Sequence, residues 1–446
     1  MNPETDRTRR KLAMTMNPSR RTFFTTGIGA TLAATLAVPT AFSFLGRNAL
    51  AQEGGAAPMK LRIAVIGCGG RGTGAMFNAI EAGKSSGYEV EVVALGDLFL
   101  ERAARANEGL VKAGHHEVSA QSVFTGFDAY KQVCASNCDL VILATPPGFR
   151  SIHFAAAVDA HKHVFTEKPV AVDGPGIRRF LAAAAKSKEL GLKVVAGTQR
   201  RHEQCYIEAM ARIHGGDIGK VMAARCYWNM GSLWNVAPDA SKTDVENQVR
   251  NWLYHAWLSG DHIVEQHVHQ LDVMQWVMQA DPMLVRGVGG RQSRTDTQLY
   301  GHIFDHFGLE YVYPNDRFVL SMCRQQDGTD GKVEELITGS EGTASLQSGA
   351  ASITGPKPWR FGGKQTGPYL QEHIDLQNAI RNNLPVNEGE QVAKSTLVAI
   401  MGRMAAYSGK EVTWEQALHS QEELMPESVE FGSRPQAPVA IPGKSG

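Results

Sequence analysis

Gly67, Gly69 and Gly72 carry the G-x-G-x-x-G spacing of a dinucleotide turn. In that pattern the first glycine makes a tight turn, the second lets backbone approach a pyrophosphate, and the third allows close helix packing. The helix that opens beyond it offers unpaired N–H groups and partial positive charge to the anion, so Gly70 and Arg71 belong to the same cradle. Asp97 lies thirty positions beyond Gly67, after a second apolar strand at 91–95. A carboxylate there accepts hydrogen bonds from both adenosine ribose hydroxyls and repels a 2′-phosphate, which favours NAD over NADP. The extra length between the two is read as a loop insertion at 83–88.

Further polar groups fall at strand ends. The apolar strand 139–144 is closed by Thr145-Pro146-Pro147, and the strand 163–166 by Glu167-Lys168-Pro169. Proline stops a ladder and turns the chain. In a parallel, doubly wound sheet the ligand crevice lies beyond the carboxyl ends of the strands, so Thr145, Pro146, Glu167 and Lys168 line one crevice. Downstream, His255, His262, His267, His269, His302 and His306 gather in one region. Glu265, His267 and His269 alternate too closely to face one way on a regular helix, although a non-helical start would gather them. No metal is assigned, with those three side chains as the alternative. Trp228, Trp234, Trp252 and Trp257 are candidates either to stack on a sugar ring or to pack.

The elements that must carry these groups follow from periodicity. Strand and helix alternate up to Ala196, which predicts a doubly wound parallel sheet. Beyond it the stretches 284–288, 301–313, 317–324, 334–338 and 343–346 read as antiparallel strands joined by Asp-Gly and Glu-Gly turns. They imply an open sheet with one face covered by helices. The fold class is therefore α/β plus α+β. The boundaries are 1–51 signal peptide, 52–58 linker, 59–196 nucleotide domain, 197–370 substrate and oligomerisation domain, 371–420 C-terminal helices partly returning to the first domain, and 421–446 tail. The formal net charge is zero and there is no basic stripe, which excludes nucleic acid as a partner. The six cysteines show neither a disulfide framework nor paired zinc spacing; Cys134 and Cys138 read as buried free thiols.

Thr145-Pro146-Pro147, His153 and the run His161-Lys162-His163-Val164-Phe165-Thr166-Glu167-Lys168-Pro169, taken with the glycine turn, resemble the family of glucose-fructose oxidoreductase, inositol dehydrogenase and rhizopine-catabolism proteins (Gfo/Idh/MocA). The resemblance runs from Lys60 to about Leu418. It implies that Lys168 lies beside the nicotinamide and the substrate hydroxyl, where it stabilises an alkoxide or relays its proton. It also implies that the segment from Gly260 to Trp276 takes the place of G-G-x-x-x-D-x-G-x-H-x-x-D, with Glu265 for the acid, His269 for the histidine and Asp272 for the last acid. A spacing of four puts Glu265 and His269 on one helical face, so the carboxylate orients an imidazole acting as general base. Glu replaces Asp and His267 replaces a glycine, two departures from the family pattern. Arg200, His202 and His267 are further substrate-contact candidates. The family's open sheet commonly serves as a homo-oligomer interface.

Ser19-Arg20-Arg21-Thr22-Phe23-Phe24 is a twin-arginine sequence, followed by the apolar stretch 27–45 and a cleavage site at Ala49-Leu50-Ala51. Pro39 and three threonines interrupt that stretch, which is short for a span, so no stable membrane span is expected after cleavage before Gln52. The leading expectation is a periplasmic or otherwise exported oxidoreductase with tightly bound NAD, acting on a sugar, glycoside or polyol hydroxyl. The alternative is an NAD-dependent glycosidase that works by transient oxidation, elimination and hydration. A third reading is an inactive sugar-binding protein.

Overall fold

The structure, a computed structural model, describes residues 59–426 and 428–444. The twin-arginine stretch and its cleavage site lie outside the described residues. The first sheet has six parallel strands: β1 (Met59–Ile66), β2 (Tyr88–Asp97), β3 (Val123–Thr125), β4 (Leu140–Leu143), β5 (His163–Thr166) and β6 (Val194–Ala196), in the order β3-β2-β1-β4-β5-β6. Leu61, Ile63, Val65 and Ile66 of β1 are at most 2% exposed, and β4 is buried throughout. Such strands are covered on both faces, which is why they read as continuous apolar runs. The helices that cover them are α1 (Gly70–Ser86), α2 (Leu100–Lys112), α3 (Ala129–Ala135), α4 (Pro147–Asp159) and α5 (Gly174–Glu189). Strand order reverses between β1 and β4, so the crevice opens there.

The expected loop at 83–88 is corrected by the course of α1, which runs through Ser86 before Gly87 turns the chain directly into β2. Extra turns of helix and a long β2 account for the wide spacing between Gly67 and Asp97.

The second half of the chain builds a nine-stranded sheet, β7 (Val221–Met230), β8 (Leu284–Gly290), β9 (His306–Tyr313), β10 (Arg317–Gln325), β11 (Lys332–Gly339), β12 (Thr343–Gln347), β13 (Ala350–Thr354), β14 (Trp359–Arg360) and β15 (Val412–Thr413). It is antiparallel except where β7 and β10 run parallel. Residues 301–305 are not strand as the pattern suggested; Gly301 has φ +52 and β9 starts only at His306. The helices of this half are α6 (Gln204–His214), α7 (Asp244–Arg250), α8 (Ala256–Ser259), α9 (His262–Glu265), α10 (Val268–Met278), α11 (Thr297–Tyr300), α12 (Pro368–Arg381), α13 (Gly389–Ser408) and α14 (Trp414–Leu418).

Alternation along β10 sends Val319, Ser321 and Cys323 inward and leaves Phe318, Leu320 and Met322 exposed. Helix α12 returns to the first sheet's layer. Its Gln377 bonds Ser86 Oγ at 2.5 Å and the Ala79 carbonyl at 2.7 Å, while Leu376 is fully buried in the core around Ile63. The segment read as a tail instead packs. Met425 is 4% exposed in a cluster with Phe149 and Trp257, and Phe431 lies 4.9 Å from Phe127. All six cysteines are free and buried.

Candidate active site

Sterics dictate the glycine turn. Gly67 has φ +95, and a Cβ there would lie 2.6 Å from the Ala144 carbonyl carbon and the Thr145 nitrogen. A Cβ on Gly72 would lie 1.8 Å from the Gly67 oxygen, whereas one on Gly69 or Gly70 would meet nothing within 4 Å. Gly69 caps α1 with no side chain, and the helix has no acid in its first turn. The turn thus offers open backbone N–H groups and free space, which fits a diphosphate. Asp97 braces the same turn: its carboxylate accepts from the Cys68 N–H at 2.7 Å and the Phe99 N–H at 3.0 Å. Burial pushes its proton affinity up against those two bonds.

A cavity of about 330 Å³ lies over the turn, lined by Gly67, Gly69, Gly70, Arg71, Asp97, Thr145 and Pro146. Its deep wall is aromatic. His153 stacks on Tyr130 at 4.4 Å and on Phe149 at 5.8 Å, and its Nδ1 lies 3.1 Å from Thr145 Oγ1. Burial lowers His153 to about 3, so the wall is uncharged. Phe127, Trp234 and Trp252 also line it, with Arg102. Composition marked none of these positions as cofactor contacts, because each belongs to a segment far from the glycine turn.

Arg71 joins the turn to two acids. It pairs with Glu167, at the end of β5, and with Glu372 on α12 at 3.1 Å. Burial works to raise Glu167, but Arg71, Lys168 and Arg150 outweigh it and hold the carboxyl below its ordinary range. Glu372, buried beside Glu167, is pushed well up. Its helix was legible from apolar spacing, yet a buried acid on that helix gives no local signal.

Lys168 donates from Nζ to the Glu265 carbonyl at 2.7 Å and to Glu265 Oε1 at 3.0 Å. The two side chains are 11% and 10% exposed. The expectation that Glu265 orients His269 is therefore corrected. Helix α9 ends at Glu265 and α10 begins at Val268, so the two residues do not share one continuous helical face. Glu265 serves the lysine. His269 stacks instead on Trp228, with centroids 5.5 Å apart and planes at 21°. Burial first, then the charge of Lys168, drives the imidazole well below its ordinary value. Both influences favour the neutral ring.

Other candidates are turned elsewhere. His267 faces the sheet, with Nε2 2.7 Å from Ser321 Oγ and 3.8 Å from Cys226 Sγ, so Glu265, His267 and His269 do not converge. Among the described residues no cluster of three or more such ligands is placed to hold a metal. Arg200 is 4% exposed and paired with Glu335 at 3.0 Å; its guanidinium lies 5.5 Å from the centre of the Trp228 ring. His202 sits between Asp375 and Glu388. Both were expected to touch substrate and are instead structural. Asp272 receives Arg201 at 2.9 Å and Ser395 at 2.7 Å, a joint between helices. Trp257 is buried and bonded to Gln248.

A doubly wound parallel sheet with a glycine turn at its switch point, joined to a mainly antiparallel sheet, is the architecture of a dinucleotide-binding fold. Residues 61–195 match the model of an oxidoreductase family with an NAD-binding Rossmann fold, Gfo/Idh/MocA. The inositol 2-dehydrogenase of Pseudomonas syringae pv. syringae is 26% identical over 235 residues, 53% of this chain and 60% of the relative. The match thus spans less than two thirds of that relative's length. Among solved structures, levoglucosan dehydrogenase in complex with NADH and levoglucosan superposes with a TM-score of 0.64 at 16% identity, covering 80% of this chain and all of that one. The aldose-aldose oxidoreductase of Caulobacter crescentus gives 0.62 at 18% identity, covering 79% and 99%. At these identities the structures show a shared fold.

Proposed function

We propose that the protein is an NAD-dependent oxidoreductase acting on a hydroxyl of a sugar, glycoside or polyol. The observation that carries this reading is geometric: Glu265, three residues before the helix that bears His269, holds the Lys168 ammonium at the end of β5. The inositol and levoglucosan dehydrogenases to which the chain is similar support the substrate class. The turn Gly67–Gly72 and the start of α1 would hold the diphosphate, with Thr145 and Pro146 on the facing strand end. Asp97, at the end of β2, supports NAD over NADP. When bound, the coenzyme supplies the acceptor for the two electrons that leave the carbinol carbon.

The chain's own groups manage the proton. An ammonium has three donors. Two on Lys168 are engaged by Glu265, which leaves the third to bind the substrate oxygen and offset negative charge as its proton leaves. His269, kept neutral, accepts that proton at a ring nitrogen. Trp228 stacks on the imidazole, and the Arg200 guanidinium also lies over the indole.

The test is a panel of sugars, polyols and aryl glycosides offered to purified protein while reduced nicotinamide is followed by absorbance. Keto-product with matching reduction supports the proposal. Phenol released from aryl glycosides with no net reduction would replace it with the glycosidase reading. A protein that binds no NAD would end both.

Export by the twin-arginine route into the periplasm belongs to the same proposal, since that route carries folded proteins and would deliver the coenzyme already seated. Amino-terminal sequencing of the mature protein beginning at Gln52 would support it. Phe318, Leu320 and Met322, 36%, 44% and 47% exposed on one sheet face, support a homo-oligomer through that sheet. Light scattering that finds a monomer for wild type, or no change on Leu320→Lys, would refute it.

A further inference from the structure

We propose that Trp234 and Trp252 form an aromatic clamp over the adenosine-diphosphate half of the coenzyme and retain it; the inference rests on the coenzyme reading above. Both tryptophans lie in the second half of the chain, yet they line the same cavity as Gly69, Gly70 and Asp97 of the nucleotide domain. They also line an adjoining one with Arg102 and Arg105. Their rings meet edge to face, 6.4 Å apart at 64°.

The backbone around Trp234 is pinned on both sides. The Ser232 N–H donates to Asp327 Oδ1 at 2.8 Å, Tyr254 Oη donates to the Leu233 carbonyl at 2.9 Å, and the Val236 N–H donates to Asn251 Oδ1 at 2.9 Å. Between these anchors Trp234 remains 50% exposed. A large ring held rigidly at a cavity mouth gains most from a flat partner that enters the cavity.

The lining names that partner's chemistry. Open glycine backbone, the acid-free start of α1 and two arginines suit a diphosphate. The aromatic wall of Tyr130, Phe149 and neutral His153 suits an apolar heterocycle. Lys168, Glu265 and His269 do not line this cavity, so a sugar at the reaction centre is not what these tryptophans cover. A nucleotide held by both the glycine turn and these tryptophans departs slowly, which the proposed export would require.

The test uses the mature full chain loaded with NADH, chased with excess NAD, and followed by energy transfer from tryptophan to NADH. Trp234→Ala and Trp252→Ala each raise the NADH dissociation rate about tenfold, and ADP-ribose, which lacks the nicotinamide, loses affinity by the same factor. Trp252→Phe keeps most of the retention, and Trp276→Phe, remote from the cavity beside Arg201, changes nothing. Unchanged thermal unfolding of the variants separates loss of the clamp from loss of fold. Dissociation within twofold of wild type for both alanine variants overturns the clamp while leaving the coenzyme reading intact. A wild-type protein that binds neither NADH nor ADP-ribose overturns the coenzyme reading itself.

Discussion

Replacement of His202 by glutamine should convert a pH-dependent stability into a flat one. The ring is 6% exposed, with Nδ1 2.8 Å from Asp375 Oδ2 and Nε2 3.3 Å from Glu388 Oε1. Burial opposes the charge, but Glu388 and Asp375 prevail and push the imidazole from 6.5 up to about 10. The folded chain therefore keeps a proton that the unfolded chain releases near 6.5. Stability from this site is complete below about pH 6.5 and is lost as pH rises to about 10. At ~1.36 kcal/mol per pH unit, that window bounds the contribution at roughly 5 kcal/mol. Both acids are mostly buried, at 16% and 20% exposure, so solvent screening removes little of it.

Urea unfolding of wild type and His202→Gln across the window reads the effect directly. A gap of roughly 3–5 kcal/mol at its acid end should shrink to about 1 kcal/mol at its alkaline end. A gap that stays constant would refute a charged imidazole between those acids. The consequence reaches the site, because Asp375 and Glu372 share α12, and Glu372 holds Arg71 in the glycine turn.

Two glycine variants should separate folding from binding. Gly72→Ala drives a Cβ into the Gly67 oxygen and should cost about 3 kcal/mol or more in a denaturation curve, whereas Gly69→Ala, with open space around its Cβ, should stay within ~0.5 kcal/mol of wild type. Gly69→Ala should nevertheless weaken NADH about tenfold by calorimetry, since the methyl occupies the diphosphate's approach. Glu265→Gln removes the carboxylate paired with the Lys168 ammonium and leaves only the field of Glu167, and should lose up to about 3 kcal/mol of stability together with turnover. His269→Gln should lower kcat by about 10²–10⁴ while NADH affinity holds; an equal loss of NADH affinity would mean that the imidazole serves the coenzyme rather than the proton.

The nucleotide turn was readable because its constraints are local: Gly67 and Gly72 answer to atoms within a few residues or on the adjoining strand end, while Gly69 keeps open space for a ligand. The alternating strands of the first domain were readable for the same reason, since burial on both faces leaves unbroken apolar runs. The relation between Glu265 and His269 was misread because a four-residue spacing implies one face only on an unbroken helix. Asp261 at φ +75 starts a helix of only four residues, and the chain resets between Gln266 and Val268. What Glu265 actually holds, Lys168, is 97 residues away. His202 meets Asp375 across 173 residues, and no local pattern announces such a pair. The C-terminal segment looked like a tail from its Pro, Gly and Ser, while the few side chains that dock it, Met425 and Phe431, were too sparse to form a period.

The most direct test of the account is a single turnover of Lys168→Met, loaded with NAD and mixed with a substrate that wild type oxidises, with bound nicotinamide followed by absorbance. The account predicts undiminished NAD in the variant and reduction slowed by about 10³ or more, because the ammonium that stabilises the departing proton's oxygen is gone. Reduction at the wild-type rate with NAD in place would contradict it.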